Sequence, residues 1–223
     1  GAGTRYGADK LAVVLNGETM LWLAAAAMLG AGLDPVVAVV AAGSDRPVPD
    51  RVGTVVNERS LEGIATSVRA GLTALRNTPQ IAAAVIAPAD QPWCGEPVYR
   101  RIVDTYRHSG RSVIVATFGG ALRNPVLLAR EQWGLAERIR GDVGLSAVVR
   151  GLSPLTVECG DVGSVTDIAA MVDFLALSLS HGLLLLAAWQ LMGRADLDQD
   201  PPPPEPEQQQ APKPAKPGLR IRA

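Results

Sequence analysis

The sequence predicts a three-layer α/β protein, a mostly parallel sheet packed between helices. Three observations carry that expectation. Val36 to Ala41, Ile81 to Ala87 and Ser112 to Ala116 are short apolar runs rich in β-branched residues. Strands covered on both faces read this way, and such strands occur in parallel sheets. Helical segments alternate with these runs up to about residue 168, the order expected of an α/β sheet. The chain of 223 residues is 48% hydrophobic, enough for one sizeable core and an appendage.

Taken in order, the chain opens on Gly1-Ala2-Gly3-Thr4-Arg5-Tyr6-Gly7-Ala8-Asp9-Lys10. Glycines let a backbone turn sharply and approach an anion. Successive exposed N–H groups in such a loop form a concave anion site. Arg5 offers a planar fork of donors, and Lys10 a point charge. The bland reading is a flexible segment that happens to hold glycine and two cations. The loop is neither a Walker A sequence nor a dinucleotide fingerprint. A phosphate loop in an α/β fold hangs from the end of a strand. That strand would precede Gly1, so the domain reads as N-terminally truncated.

Glu18 to Gly32 is expected to be helical, with a run of alanines favouring helix and glycines ending it. Val36 to Ala41 is a strand, Gly43 to Asp50 a polar loop, and Thr54 to Val56 a short strand ending at Asn57. Leu61 to Arg76 is a helix in which Gly63, Ser67 and Gly71 share a face by their spacing of four. For Gly63 and Gly71, close packing is the simpler account. Ile81 to Ala87 is a strand leading into Pro88-Ala89-Asp90-Gln91-Pro92. An acidic residue just past the end of a central strand stands where α/β folds place ligand chemistry. Asp90 is therefore the metal candidate, because Mg²⁺ takes one or two carboxylates plus substrate phosphates.

Pro97 to His108 is an amphipathic helix, its charges a solvated face and His108 a favourable helix-end charge. Ser112 to Ala116 is a strand, Phe118 to Pro125 a loop, and Val126 to Leu128 extended. Gln132 to Ile139 is a short helix, Gly141 to Gly144 a turn, and Leu145 to Arg150 a helix. Thr156 to Cys159 is the last strand, with Asp161 and Asp167 in loops after it.

Charge and cysteines narrow the function classes. The net charge is −1 and aromatics make up 4% of residues. That argues against nucleic acid as a partner, which would call for clustered excess cations or a stacking platform. Cys94 and Cys159 lack metal-ligand spacing and read as reduced thiols of a cytoplasmic protein.

The composition changes at Asp173. Phe174 to Met192 is a 19-residue run without Asp, Glu, Lys or Arg. Two readings stay open. One is a membrane span, tethering the protein. The other is an apolar helix packed on this domain or on a partner. Residues 195–223 include Pro201-Pro202-Pro203-Pro204 and read as an extended, disordered spacer. The domain scheme is thus 1–170, 171–194 and 195–223.

Several stretches together resemble one family. GAGTRYGADK resembles the signature loop of the MobA-like nucleotidyltransferases, in the branch of molybdenum cofactor cytidylyltransferase. Asn57 followed by LEGIATSVRAGL resembles the nucleobase-side segment, and APADQP the metal-binding Asp motif. RNPVLL resembles a segment where many members carry Gly-His-Pro, with Asn124 standing for the His. GDVG resembles the turn near the acceptor, and VTDI the terminal Asp-Ile-Asp segment. The resemblance covers about residues 1 to 168.

It implies a Rossmann-like nucleotidyltransferase fold and transfer of a nucleotidyl group from CTP to a phosphorylated acceptor of the pterin type. Pyrophosphate would leave. Guanylyl transfer from GTP to the same cofactor is the enzymatic alternative, and a non-catalytic membrane-tethered remnant the alternative of another class. By the resemblance, Gly1, Ala2, Gly3, Thr4, Arg5 and Lys10 would bind the phosphates. Asn57 and Ser67 would face the base or ribose. Asn124 and Asp142 would lie toward the acceptor. Asp90, with Asp167 as a second candidate, would hold Mg²⁺. Arg5, Lys10 and Asp90 would carry the catalytic charge.

Overall fold

A hairpin absent from the sequence expectation opens the computed structural model, which describes residues 14–165 together with Leu183 and Leu186. β1 (Val14–Leu15) pairs antiparallel with β2 (Glu18–Thr19). Asn16 at φ 52° and Gly17 at φ 89° form the turn between them. Asn-Gly is favoured there because both positions need positive φ. The Thr19 hydroxyl then accepts the Trp22 N–H at 3.2 Å and caps α1 (Met20–Gly30). The helix expected from Glu18 therefore starts at Met20, since Glu18 and Thr19 belong to the hairpin and the cap.

β3 (Val36–Ala41) runs parallel to β4 (Val52–Asn57), in register from Val36 opposite Val52 to Ala41 opposite Asn57. Next come α2 (Ile64–Arg76), β5 (Ala83–Ile86) and α3 (Glu96–Ser109). Gly110, at φ 62°, ends α3. β6 (Val113–Phe118), β7 (Ala121–Ala129), α4 (Leu145–Val149) and β8 (Leu155–Glu158) complete the described elements.

The four-stranded sheet has the order β5-β7-β6-β8. β7 is antiparallel to both β5 and β6, while β6 and β8 are parallel. The α/β class is as expected, but the sheet is mixed rather than mostly parallel. Gly119 and Gly120 are the cause. Both adopt positive φ, 58° and 76°, and turn the chain straight back on itself. The loop expected over Phe118 to Pro125 is thus a hairpin whose return strand inserts between β5 and β6. A two-residue hairpin can join only antiparallel strands. The short helix expected over Gln132 to Ile139 is a run of 3₁₀ turns over Arg130–Arg138. There the Trp133 indole donates to the Leu128 carbonyl at 3.2 Å, and the Arg130 guanidinium lies 4.9 Å from the Trp133 ring.

Successive strand residues face opposite ways, so each face of the sheet needs its own cover. Val113, Val115, Val126 and Leu128 pack with Ala65 and Leu72 of α2, Trp133, Leu145 and Val149. Ile114, Ala116 and Leu127 pack on the other face with Cys94 and with Val98, Tyr99 and Ile102 of α3. Leu21 and Ala25 of α1 cover Val36, Ala38, Val40 and Val52. These clusters make the three layers.

The chain divides into units Gly1–Leu175 and Ala176–Ala223, and all the elements above belong to the first. Among the described residues no helix is long and apolar enough to cross a membrane. Apart from Leu183 and Leu186, the 174–192 run lies outside them, as does the proline-rich tail.

Candidate functional site

The best-defined polar assembly joins the end of β4 to the start of α2. Asn57 is 5% exposed. Its amide nitrogen donates to the hydroxyls of Thr66 at 2.9 Å and Ser67 at 3.0 Å. Its amide oxygen accepts the Arg59 N–H at 3.0 Å. Both amide hydrogens are therefore committed within the protein. The buried Thr66 hydroxyl lies 2.9 Å from both the Arg59 and Gly63 carbonyls. The result is a latch holding the first turn of α2 against the strand it follows.

A second segment closes on the same helix start. The first N–H groups of a helix lack intrahelical partners. Here the Ala65 N–H donates to the Gly141 carbonyl at 3.0 Å, and the Ile64 N–H to an Asp142 carboxylate oxygen at 3.4 Å. A carboxylate at that end also suits the helix dipole. One turn along, Arg69 donates to the Ala136 and Ile139 carbonyls, fixing the chain that leads into Gly141. Gly63 is indispensable to the approach. It sits at φ +102°, and a Cβ there would lie 2.3 Å from the Gly141 carbonyl carbon. Gly71 lets α2 sit on β3, where a Cβ would be 3.1 Å from Val39 Cγ2. Both glycines serve close packing, the simpler account of their spacing.

The structure thus brings together Asn57, Ser67 and Asp142, three residues singled out from sequence. Thr66, the hub of the latch, was missed. Its signal was slight, a hydroxyl residue three positions after a glycine that starts a helix.

Asp90 and Asn124 leave one end of the β5–β7 pair. Ile86 is opposite Val126. The chain continues from Ile86 through Pro88 to Asp90, and it reaches Val126 from Asn124 and Pro125. Both residues are partly buried. Ile86 packs against the same apolar cluster as Ala65 in the first turn of α2, so one core supports both groups.

Glu158 fixes the neighbouring hairpin. Its carboxylate accepts from the Thr117 hydroxyl at 3.0 Å, Gly119 N–H at 3.0 Å, Gly120 N–H at 3.1 Å and Gly160 N–H at 3.0 Å. These donors, led by the Gly120 and Gly160 amides, hold the carboxyl below the usual carboxylate range. Arg101 braces the same region through Asp161 at 2.6 Å and the Glu158 carbonyl at 2.8 Å.

The residues around Asp90 fit a hard divalent cation. Carboxylate and amide oxygens are the donors Mg²⁺ and Mn²⁺ prefer. The adjacent Gln91 Oε1 is buried and has no hydrogen-bond partner. Among the described residues no cluster of three or more His, Cys, Asp or Glu could hold a metal alone. A cation here would complete its shell with water and substrate oxygens. Gly1, Ala2, Gly3, Thr4, Arg5, Lys10 and Asp167 lie outside the described residues.

With this geometry in view, the comparisons decide the family. Residues 1–157 match the MobA-like NTP transferase domain. The chain belongs to that family. The MobA-like domain is also similar to solved structures. One is the Rv0371c homologue from Mycobacterium sp. strain JC1, 20% identical with a TM-score of 0.66, covering 82% of this chain and 93% of that one. Another is the manganese complex of Rv0371C from Mycobacterium tuberculosis H37Rv, 22% identical, TM-score 0.56, covering 68% and 81%. A third is molybdopterin-guanine dinucleotide biosynthesis protein A from Archaeoglobus fulgidus, 16% identical, TM-score 0.50, covering 72% and 80%. At these identities the likeness is one of fold. No curated protein matches the chain.

Proposed function

We propose that this protein is a Mg²⁺-dependent cytidylyltransferase. It would move CMP from CTP to a phosphorylated acceptor of the pterin type, such as molybdopterin cofactor, with release of pyrophosphate. The observation that carries the proposal is the family match over residues 1–157. The Asn57–Thr66–Ser67 latch beside Gly141 and Asp142 supports it, because it offers a rigid polar platform at a helix start.

Nucleotidyl transfer is in-line attack on the α-phosphorus, which needs positioning and charge neutralisation more than acid–base chemistry. The N–H groups of the Gly1–Lys10 loop and Arg5 would bind the β- and γ-phosphates. Lys10 would neutralise charge near the α-phosphate. Asp90, with Asp167 as a second candidate, would hold the cation. When bound, that cation neutralises phosphate charge and orients the attacking and leaving oxygens. The Ser67 hydroxyl, fixed by Asn57, would meet the base or ribose. Asn57 would act by holding Ser67 and Thr66, since its own amide hydrogens are used. Asn124 and Asp142 would lie toward the acceptor, Asp142 while also capping α2. The protein would work in the cytoplasm, with membrane contact through 174–192 as the alternative.

The test is transfer of α-phosphate label from CTP, and in parallel from GTP, to a molybdopterin acceptor with pyrophosphate measured. Label from CTP in the acceptor with equimolar pyrophosphate is expected. Label from GTP alone would make it a guanylyltransferase. No transfer from either would favour the non-catalytic remnant.

A further inference from the structure

The strand that carries Asn124 is interrupted where that residue sits. Between β6 and β7, Val115 is opposite Val126 and Thr117 is opposite Leu122. A single β6 residue, Ala116, thus spans Arg123, Asn124 and Pro125 of β7. On the other side, the ladder with β5 ends at Ile86 opposite Val126. Extra residues in such a bulge are left out of the ladder, and bulges re-aim side chains beside active sites. Asn124 is therefore strung between two fixed points. One is Val126, fully buried in the core. The other is Leu122, close to the tip of the β6–β7 hairpin.

That tip has little of its own to hold it. Beyond the bulge Thr117 pairs with Leu122 and Phe118 with Ala121, and Gly119 and Gly120 close the turn without side chains. A short two-stranded hairpin is marginal by itself. Glu158 supplies the hold. It stands opposite Thr117 in the last pair of β6 with β8. Its carboxylate accepts from the Thr117 hydroxyl and the Gly119 N–H at 3.0 Å each, and from the Gly120 N–H at 3.1 Å. The Gly160 N–H donates to the same carboxylate at 3.0 Å, and a Cβ at Gly160 would lie 3.8 Å from the Gly119 nitrogen. Arg101 of α3 in turn holds the Glu158 carbonyl at 2.8 Å. Hydrogen bonds to an ionised acceptor are the strong kind. One end of the Asn124 segment is thus tied, through one carboxylate, to β8 and α3.

We propose that Glu158 is a positioning residue for the acceptor: by clamping the hairpin tip it fixes the segment Arg123 to Pro125, and so the place where Asn124 meets the acceptor. This deepens the proposed function and rests on its placing Asn124 toward the acceptor. The nucleotide would be held by other stretches, so losing the clamp acts on one substrate and spares the other.

The test compares the full-length parent with Glu158→Ala and Glu158→Gln. The probes are α-labelled CTP or GTP, whichever the parent transfers, with molybdopterin as acceptor, and amide hydrogen exchange read by mass spectrometry. Glu158→Ala should raise the acceptor KM about tenfold, while the nucleotide KM stays within about twofold. Exchange in the peptide covering Ala121 to Asn124 should quicken about tenfold, with peptides from β3 and α2 unchanged. Glu158→Gln keeps one carbonyl oxygen and should fall between the two, and it carries the test if Glu158→Ala fails to fold. An acceptor KM equal to the parent's in both variants would overturn the proposal. So would a rise in both KM values together, which marks a general loss of structure. Unchanged exchange at the hairpin tip would overturn it too. A parent that transfers no label from either nucleotide would overturn the proposed function and the acceptor role with it. The inference alone fails when the parent is active and its acceptor KM ignores Glu158.

Discussion

At Asn57, an amide with every hydrogen committed does a different job from one that reads a base. Asn57→Ala would leave the Thr66 and Ser67 hydroxyls short of a donor and the Arg59 N–H short of an acceptor. Stability should fall by about 1–3 kcal/mol in urea denaturation. CTP affinity should fall with it, through Ser67. Unchanged stability would show that the latch contributes nothing. Asp90→Ala should abolish turnover while the fold persists, as read by circular dichroism. Activity within about threefold of the parent would remove Asp90 from the cation site. Asn57, Ser67 and Asp142 were singled out from sequence, but the contacts that bring them to one helix start were not legible there. Whether Asn57 faces a ligand or its own helix depends on the direction in which the chain leaves β4. Nothing local in Asn57-Glu58-Arg59 encodes that. The Asp142 cap joins residues 78 positions apart, beyond the reach of any periodicity.

Among the elements, strands with continuous apolar runs were recovered closely, β3 residue for residue. Turn chemistry was under-read. Asn16-Gly17 and Gly119-Gly120 each specify a hairpin through positive φ, and the second decides that the sheet is mixed. Gly63 shows the same physics at the site. Gly63→Ala puts a Cβ into the Gly141 carbonyl at an unfavourable φ. It should cost about 1–3 kcal/mol and separate α2 from the 141–144 turn. A urea midpoint equal to the parent would contradict this. The β6–β7 hairpin depends on charge. Because the folded carboxyl of Glu158 is held below its ordinary value of 4.5, ionisation favours the fold. Its contribution is complete above the unfolded value and is lost as pH falls through the lower folded one. Glu62 and Asp161 shift the same way, by pairing with Arg59 and Arg101. The parent should lose stability progressively below about pH 4.5, and Glu158→Gln should show a shallower acid limb. Superimposable acid limbs would contradict the clamp.

For the whole molecule, the core sets what is reactive. Cys94 and Cys159 are both buried and free. Burial pushes the Cys94 thiol up to about 11 and raises Cys159 as well. Neither should react with an aromatic disulfide reagent at pH 8 in the folded protein, and both should react once it is unfolded. Fast labelling of the native protein would mean that the packing around α3 and β8 is looser than described. The α/β class was legible because buried strands and amphipathic helices leave separate marks in composition. The candidate site was less so, because its described members come from stretches far apart in sequence that meet only through contacts of the folded chain. The most direct measurement is calorimetric titration of the full-length protein with CTP and with GTP, each with and without Mg²⁺. The account predicts Mg²⁺-dependent binding of CTP in preference to GTP. Absence of binding by either nucleotide in the presence of Mg²⁺ would contradict it.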